Sequence, residues 1–225
     1  MNGPDHGGEM TDRRDTVNPW LSVPAADYEG HMGSPGVRQL EFLSRIFGEL
    51  MIEFDPESLV VLGCATGNGF EHIERARTRK LVGLDINPEY LDVCRKRHGE
   101  NIPGLELVCA DFASFDLEAA SIDFVHAALF FEYVDPAAAV EKVSRWLKPR
   151  GILAVVLQMP SDSCGKVSET GFTSVKVLEP AIHLVDPALL GRLVREHGFF
   201  EVRSARETLA SGKEFFLGVY RLESA

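Results

Sequence analysis

The strongest constraint on the fold is an alternation of short, wholly apolar runs with amphipathic segments along the chain. The runs at 59–62 and 152–157 read LVVL and ILAVVL, with no polar residue at alternate positions. Such runs are expected of strands that are covered on both faces. The segments between the runs place apolar residues at three- and four-residue steps, as amphipathic helices do. The alternation predicts an α/β fold, an open and mostly parallel sheet with helices on both faces.

The same pattern places the individual elements. An Asn-Pro or Asp-Pro pair marks the start of three helices, because the first side chain caps the helix and proline fits its first turn. The last two strands are separated by a short turn and predict a C-terminal antiparallel hairpin. We predict strands at 59–62, 81–84, 105–109, 124–129, 152–157, 199–207 and 214–222, and helices at 68–77, 88–98, 136–147 and 187–197.

The first 54 residues differ in character from the rest. Residues 1–17 are polar and glycine-rich, which predicts a flexible tail. Residues 18–36 combine aromatic residues with several prolines. We expect this segment to dock on the domain without long regular structure, and a helix to begin near Val37. We therefore divide the chain into the tail, an N-terminal segment and helix at 18–54 that could form a lid, and a main domain at 55–225.

Charge and cysteine spacing exclude several classes of function. The formal net charge is −11, and an acidic chain without a basic stripe is a poor ligand for nucleic acid. The nearest two of the four cysteines are 15 residues apart (109 − 94), so zinc-ligand spacing is absent and free thiols are expected. We predict no metal site. No apolar run approaches the length of a membrane span, and the N-terminus does not read as a secretory signal, so we expect a cytoplasmic protein without membrane contact.

A glycine-rich loop follows the first predicted strand. Residues 62–69 read L-G-C-A-T-G-N-G, and glycines at this place let the backbone turn sharply and approach a ligand. In an open parallel sheet the loop lies at the carboxyl ends of the strands, where ligands bind. Asp85 ends the next strand, 22 residues after Gly63 (85 − 63). A carboxylate at that position can accept hydrogen bonds from ribose hydroxyls.

Two ligand classes fit a glycine loop followed by an acid: a nicotinamide dinucleotide and S-adenosylmethionine. The dinucleotide fingerprint G-x-G-x-x-G fails in both registers. From Gly67 the third glycine is replaced by His72, and from Gly63 the second and third are replaced by Ala65 and Asn68. A nicotinamide oxidoreductase is therefore the disfavoured alternative.

The motifs, taken in order, resemble those of the class I S-adenosylmethionine-dependent methyltransferases over roughly residues 55–160. The resemblance implies a Rossmann-like seven-stranded sheet with an antiparallel last strand. It also implies S-adenosylmethionine as the cofactor and S-adenosylhomocysteine as the product. The matching runs are V-L-G-C-A-T-G-N-G, G-L-D-I-N-P-E-Y-L, C-A-D-F, I-D-F-V-H-A-A-L-F-F-E-Y-V-D-P and L-K-P-R-G-I-L-A-V-V.

The resemblance also assigns residues to the cofactor. It implies Asp85 as the ribose-binding acid, Asp111 as the partner of the adenine amino group and Phe112 beside the adenine ring. Phe130 follows the fourth strand, where family members line the methionine end. The full set of expected cofactor-binding residues is Gly63, Cys64, Ala65, Gly67, Asp85, Ile86, Asp111, Phe112 and Phe130.

Two departures from the family pattern leave an alternative open. Val61 stands where the family has an acid, and Ala65 replaces the middle glycine of the loop. A non-glycine residue in a strained turn costs about 1 kcal/mol. The departures favour, as the runner-up, a catalytically degenerate methyltransferase fold that acts as a binding or regulatory module.

Methyl transfer needs alignment more than a fixed catalytic group, so catalytic residues can only be ranked. Tyr28 and His31 lie three residues apart in the N-terminal segment, and Glu132 follows the fourth strand. Residues 158–185 form a long stretch where the family builds acceptor specificity, and we predict an acceptor-side insertion there. No Asn/Asp-Pro-Pro-aromatic run follows the fourth strand, where the sequence is L-F-F-E. We therefore predict a small-molecule acceptor, no nucleic-acid partner, and a monomer or homodimer.

Overall fold

A seven-stranded sheet forms the centre of the protein. The computed structural model describes residues 18–73, 77–161 and 164–224. The tail predicted at 1–17 lies outside the described residues. The strands are β1 (Ser58–Leu62), β2 (Lys80–Asp85), β3 (Leu105–Cys109), β4 (Ile122–Ala128), β5 (Leu147–Gln158), β6 (Phe199–Thr208) and β7 (Glu214–Leu222). The α-helices are α1 (Ala25–Gly33), α2 (Gln39–Phe54), α3 (Pro88–His98), α4 (Pro136–Trp146) and α5 (Pro187–Glu196).

The strand order is β3-β2-β1-β4-β5-β7-β6. The first five strands in this order pair in parallel, whereas β7 pairs antiparallel with both β5 and β6. This confirms the predicted Rossmann-like sheet with its C-terminal antiparallel hairpin. Strand β1 lies between β2 and β4, so the order reverses direction at β1. The carboxyl ends of β1 and β4 are therefore the place where a crevice opens for a ligand.

Helices cover both faces of the sheet, as the apolar runs predict. Leu59 and Val61 of β1 join the core that includes the buried face of α2, whereas Val60 and Leu62 join the core beneath α4 and α5. All five residues of β1 are buried. Because successive side chains of a strand point to opposite faces, a strand covered on both faces is apolar along most of its length, and only Ser58 at the start of β1 is polar.

The predicted helix starts are confirmed in atomic detail. The side chains of Asn87, Asp135 and Asp186 each accept a hydrogen bond from the backbone N–H two residues ahead, at 2.9, 3.0 and 2.8 Å. A proline follows each cap and occupies the first turn, where its missing N–H removes no helical bond. These local signals fix where α3, α4 and α5 begin.

The predicted helix at 68–77 is wrong. A single 3-10 turn, Phe70–His72, follows the glycine-rich loop instead, and residues 74–76 lie outside the described residues. Gly67 and Gly69 both have left-handed backbones, with φ of +82° and +92°, which a right-handed helix cannot include. A Cβ atom at Gly67 would lie 2.7 Å from the Cys94 sulfur of α3, so the loop packs directly against that helix.

The N-terminal segment is more regular than expected. Residues 19–22 form a 3-10 turn, and Ala25–Gly33 form the nine-residue helix α1. The prolines flank α1 and do not interrupt it, since Pro24 lies at its N-cap and Pro35 beyond its end. The stretch after β5 contains a nine-residue 3-10 helix, Thr173–Ala181. None of the helices in the described parts of the chain is both long and apolar enough to cross a bilayer.

The packing of α2 provides a test of the fold. Phe47 is 1% exposed, lies against Gly69 of the glycine-rich loop and contacts the His126 ring edge-on. We expect Phe47→Ala to lower the free energy of unfolding by about 3–5 kcal/mol, because the truncation leaves a cavity. Ile52→Ala on the same helix is the control, since Ile52 is 86% exposed, and its effect should be within about 0.5 kcal/mol. Urea denaturation measures both, and similar effects of the two substitutions would contradict this packing.

Candidate functional site

A cavity of about 200 Å³ opens at the carboxyl ends of β1, β2 and β4. Its floor is the glycine-rich loop and the turns after β2, β3 and β4. The 3-10 turn Pro19–Ser22 and helix α1 cover it from above, and the 3-10 helix Thr173–Ala181 covers one side. Seven of the nine residues expected to bind a cofactor line it: Gly63, Ala65, Asp85, Ile86, Asp111, Phe112 and Phe130.

The backbone of the glycine-rich loop adopts left-handed conformations at Gly63 and Ala65. Gly63 has φ of +63°, and a Cβ atom there would lie 3.1 Å from the ring of Phe130. Ala65 has φ of +45°, so it adopts the left-handed conformation that a glycine would take without strain, at a cost of about 1 kcal/mol. The loop thus takes the shape expected of it although its middle residue is alanine.

The other two expected residues do not line the cavity. Cys64 is buried beneath the loop, where its sulfur packs against the backbone of Gly83. Gly67 packs against Cys94 and His98 of α3. Their roles are therefore in the shape of the loop and not in contact with a ligand. Cys64, Cys94 and Cys109 are thiols outside any disulfide, as their spacing predicts.

Asp85 connects the loop to the start of α3. Its Oδ2 atom accepts a hydrogen bond from the Ala65 N–H and its Oδ1 atom accepts one from the Asn87 N–H, both at 2.8 Å. Burial raises the pKa of this carboxyl, and the backbone hydrogen bonds oppose that rise. A carboxylate oxygen can accept two hydrogen bonds, so each oxygen retains one acceptor position. Asp85 also lines the cavity, where those positions can meet a ligand's hydroxyl groups.

Two aromatic rings lie beside Asp111 in the lining of the cavity. Phe112 and Phe130 contact each other edge to face, with ring centres 5.2 Å apart. Lys142 fixes the loop after β3, since its Nζ donates hydrogen bonds to three backbone carbonyls, including that of Phe112. The exposed Asp111 uses its Oδ1 atom to accept a hydrogen bond from the Ala113 N–H. This end of the cavity therefore offers a carboxylate next to aromatic rings.

An aromatic cover closes the cavity above Ala65 and Asp85. We define this cover as residues 18–33. Trp20 contacts Tyr133 at 5.1 Å between ring centres, and Tyr28 contacts Tyr90 at 5.2 Å. Burial, together with the nearby Asp85 carboxylate, raises the pKa of the Tyr28 hydroxyl. Tyr28 thus stays protonated and can donate a hydrogen bond, but it is a poor base.

Hydrogen bonds hold the cover in place. The side-chain amide of Asn87 donates to the Trp20 carbonyl at 2.9 Å, and the Ala25 N–H donates to the Glu89 carboxylate at 3.1 Å. Glu29 forms an ion pair with Arg97 at 2.8 Å. All three partners lie on or at the start of α3. The cover is therefore anchored to the same helix that Asp85 joins to the glycine-rich loop.

Glu132 is a deeply buried carboxylate of the cavity. It lies at the end opposite Asp111, which we call the polar end. It is 2% exposed, and its Oε1 atom accepts a hydrogen bond from the Gln158 N–H at 2.8 Å. Its Oε2 atom has no hydrogen-bond partner. Burial raises the pKa of this carboxyl to about 7. Glu132 can therefore exchange a proton near neutral pH, which is what a general base must do.

His31 lies on α1, one turn after Tyr28, and both line the cavity as their spacing predicts. The His31 Nδ1 atom is 2.9 Å from the Thr170 hydroxyl. Burial lowers the pKa of the imidazole, and the positive charge of Lys213 lowers it further. His31 is thus neutral near physiological pH. The structure brings Tyr28, His31 and Glu132 to one cavity.

Sequence reasoning missed three polar residues of this end: Gln39, Gln158 and Lys213. The Lys213 ammonium is 2% exposed and donates to the Gln158 side-chain carbonyl at 3.3 Å and to the Lys166 backbone carbonyl at 2.7 Å. Gln39 is buried, and its Nε2 atom has no hydrogen-bond partner. Lys213 lies in a stretch that reads as an ordinary hairpin turn, so no local signal marks it.

Comparison with known proteins identifies the domain. Residues 60–155 match the family model described as a methyltransferase domain. A phthiotriol/phenolphthiotriol dimycocerosates methyltransferase from Mycobacterium leprae is 29% identical over 117 residues, which cover 51% of this chain and 43% of that protein. The chain spans less than half the length of the first curated relatives it matches.

Solved structures agree on the fold. An S-adenosylmethionine-dependent methyltransferase from Mesorhizobium loti superposes with a TM-score of 0.63 at 17% identity, covering 81% of this chain and 99% of that one. The N-methyltransferase NodS from Bradyrhizobium japonicum, in complex with S-adenosylhomocysteine, superposes with a TM-score of 0.61 at 15% identity. The match covers 84% of this chain and 88% of that one. Residues 60–155 are therefore similar in sequence to a methyltransferase domain, and the chain shares the fold of these solved methyltransferases.

The methyltransferase family match divides the cavity into two parts. Asp85, Asp111 and Glu132 fall inside the matched residues. His31, Gln39 and Gln158 fall outside them, as does Lys213. The polar end of the cavity is therefore built mostly by segments that flank the shared part of the family. In the described residues no group of three or more potential metal ligands occurs.

The burial of Glu132 predicts a pH-dependent stability. A carboxyl whose folded pKa is raised from 4.5 to about 7 stabilises the fold fully below pH 4.5, and that stabilisation is lost as the pH rises through 7. Glu132→Gln removes the charge and keeps an acceptor for the Gln158 N–H. We expect this variant to gain on the order of 2–3 kcal/mol in unfolding free energy relative to wild type between pH 4.5 and pH 8.

Urea denaturation across this pH range measures the difference. The control is Glu118→Gln, since Glu118 is exposed, and it should follow the wild-type curve at every pH. A constant difference between Glu132→Gln and wild type across the range would contradict the buried, titrating carboxyl.

Proposed function

We propose that the chain transfers a methyl group from S-adenosylmethionine to a small-molecule acceptor. The observation that carries this proposal is the layout of one cavity. Asp85 and the glycine-rich loop lie on its floor, and the unpartnered carboxylate oxygen of Glu132 lies at its polar end. A methyltransferase needs these two parts side by side, one to hold the methyl donor and one to receive the acceptor.

The residues present fit the donor. Asp85 has acceptor positions left for the two ribose hydroxyls, because each of its oxygens uses one. Asp111 can accept a hydrogen bond from the adenine amino group, with Phe112 and Phe130 as the apolar surface for the ring. The absence of a side chain at Gly63 lets the Phe130 ring lie close to the loop. When bound, S-adenosylmethionine supplies a methyl group on a positively charged sulfur, which leaves as a neutral thioether.

Glu132 is the candidate catalytic base. With a pKa of about 7, its Oε2 atom can take a proton from a hydroxyl or amine of the acceptor near neutral pH. Tyr28 and His31 are assigned to positioning of the reacting groups, Tyr28 as a hydrogen-bond donor and His31 as a neutral imidazole. The cover at residues 18–33 excludes water. Such positioning in a dry site can contribute several kcal/mol to the rate.

The size and charge of the site support a small acceptor. The cavity lies beneath the cover and beside Thr173–Ala181, so an acceptor must fit inside it. The formal charge of −11 disfavours long polyanions such as RNA and DNA. Ala65 adopts the left-handed conformation that the loop requires, so this departure leaves the loop shape intact. That observation favours an enzyme over a degenerate binding module.

Donor binding is tested with S-adenosylhomocysteine and the Asp85→Asn variant. We expect isothermal titration to show binding by wild type and a loss of roughly 10- to 100-fold in affinity in the variant, since hydrogen bonds to a charged group contribute about 1.5–3 kcal/mol. Asp92→Asn on α3 is the matched control, because Asp92 is exposed and pairs only with Arg95 among the described residues. Its affinity should equal that of wild type.

The melting temperature of Asp85→Asn shows whether the fold is retained, because Asp85 also holds the glycine-rich loop. No binding of S-adenosylhomocysteine by wild type would refute the proposed donor. Binding of the donor without product in a screen of small hydroxyl, amine and carboxylic-acid acceptors would favour the binding module.

A further inference from the structure

Lys213 is a buried cation that lacks a counter-ion among the residues that the structure describes. Its side chain is 2% exposed and lines the cavity. The two groups that receive its hydrogen bonds are neutral, the side-chain carbonyl of Gln158 and the backbone carbonyl of Lys166. Burial lowers the pKa of the Lys213 ammonium to about 8, and Cys164 and Glu179 only partly oppose that shift. A buried charge without a partner is costly, so this position calls for an explanation beyond packing.

The ammonium retains one donor for a ligand. Lysine has three N–H groups, and the protein accepts two of them. The amide of Gln39, which also lines the cavity, adds a second buried donor without a partner. Apolar residues, Leu178 and Ile182 among them, contribute to the same lining. Two unused donors in a cavity favour a ligand that presents acceptor oxygens.

The number of buried positive charges that line the cavity favours a ligand with a single negative charge. Lys166 is the other lysine that lines the cavity, but its Nζ donates to the Ile182 carbonyl and its side chain reaches the surface. His31 is held neutral by burial and by Lys213 itself. The described lining thus carries one buried positive charge. A single ammonium balances a carboxylate, whereas a phosphate dianion needs a second cation.

We infer that the acceptor is a small carboxylic acid whose carboxylate pairs with Lys213. This inference rests on the proposed function, since it names the class of molecule that the polar end would hold. Gln158 sets the geometry: its backbone N–H binds Glu132 and its side chain binds Lys213. Gln158 therefore contacts both Lys213, which would bind the carboxylate, and Glu132, the candidate base. An acid anchored at Lys213 leaves the rest of the molecule free to reach Glu132.

The test compares acids with their uncharged amides, which differ only in the group that Lys213 would bind. Protein saturated with S-adenosylhomocysteine is titrated with 4-hydroxyphenylacetate, indole-3-acetate and hexanoate, and with the amide of each. We expect at least one acid to bind ten or more times as tightly as its amide. The preference should disappear in Lys213→Met and in Lys213→Gln, the second of which keeps a hydrogen-bond donor without the charge.

Lys176→Met is the matched control, because Lys176 is an exposed lysine that pairs with Glu169. It should keep the wild-type preference for acids. The two Lys213 variants should bind S-adenosylhomocysteine within threefold of wild type, which verifies that they are folded.

Two results would overturn the inference. One is that acid and amide bind equally in all three pairs, or do not bind at all. The other is that the preference for acids survives in both Lys213 variants. Failure of the proposed function gives a different result, namely no binding of S-adenosylhomocysteine by wild type. In that case the acid–amide comparison is made on the free protein, where the two results above still decide whether Lys213 binds a carboxylate.

Discussion

The site depends on the two hydrogen bonds that the Asp85 carboxylate accepts from the backbone of Ala65 and Asn87. They join the glycine-rich loop after β1 to the start of α3. Asn87 in turn caps α3 and binds the Trp20 carbonyl with its side-chain amide. One buried carboxylate thus sets the position of the loop, the helix and the N-terminal cover. Loss of this group would disturb all three, which is why a charge is retained at a position where burial opposes it.

Local signals predicted most of the fold. Apolar runs located the strands, and Asx-Pro pairs located three helix starts, because both depend on residues that are neighbours in the chain. The helix at 68–77 was predicted wrongly, because periodicity carries no information about the left-handed backbones of Gly67 and Gly69. Helix α1 was not predicted because its segment is rich in proline, but the prolines flank the helix and do not interrupt it.

The site was predictable only in part. Tyr28, His31 and Glu132 line one cavity with Asp85 and the glycine-rich loop, and their roles there stay predictions. Lys213 was missed because its position depends on antiparallel pairing of β5 with β7, which sets Gln158 opposite Phe215. A contact between residues 55 positions apart leaves no trace in the local pattern. Asp85, Asp111 and Glu132 fall within the part of the chain that matches the family model, whereas Gln158 and Lys213 fall outside it.

The N-terminal cover has a kinetic consequence. It is held by the Trp20 and Ala25 hydrogen bonds, by the Glu29–Arg97 ion pair, and by the ring of Phe172, which packs so closely on Gly30 that a Cβ atom there would overlap it. Displacing the cover means breaking these contacts, which lie at both ends of α1. In many enzymes the opening of such a cover, and not the chemical step, limits turnover.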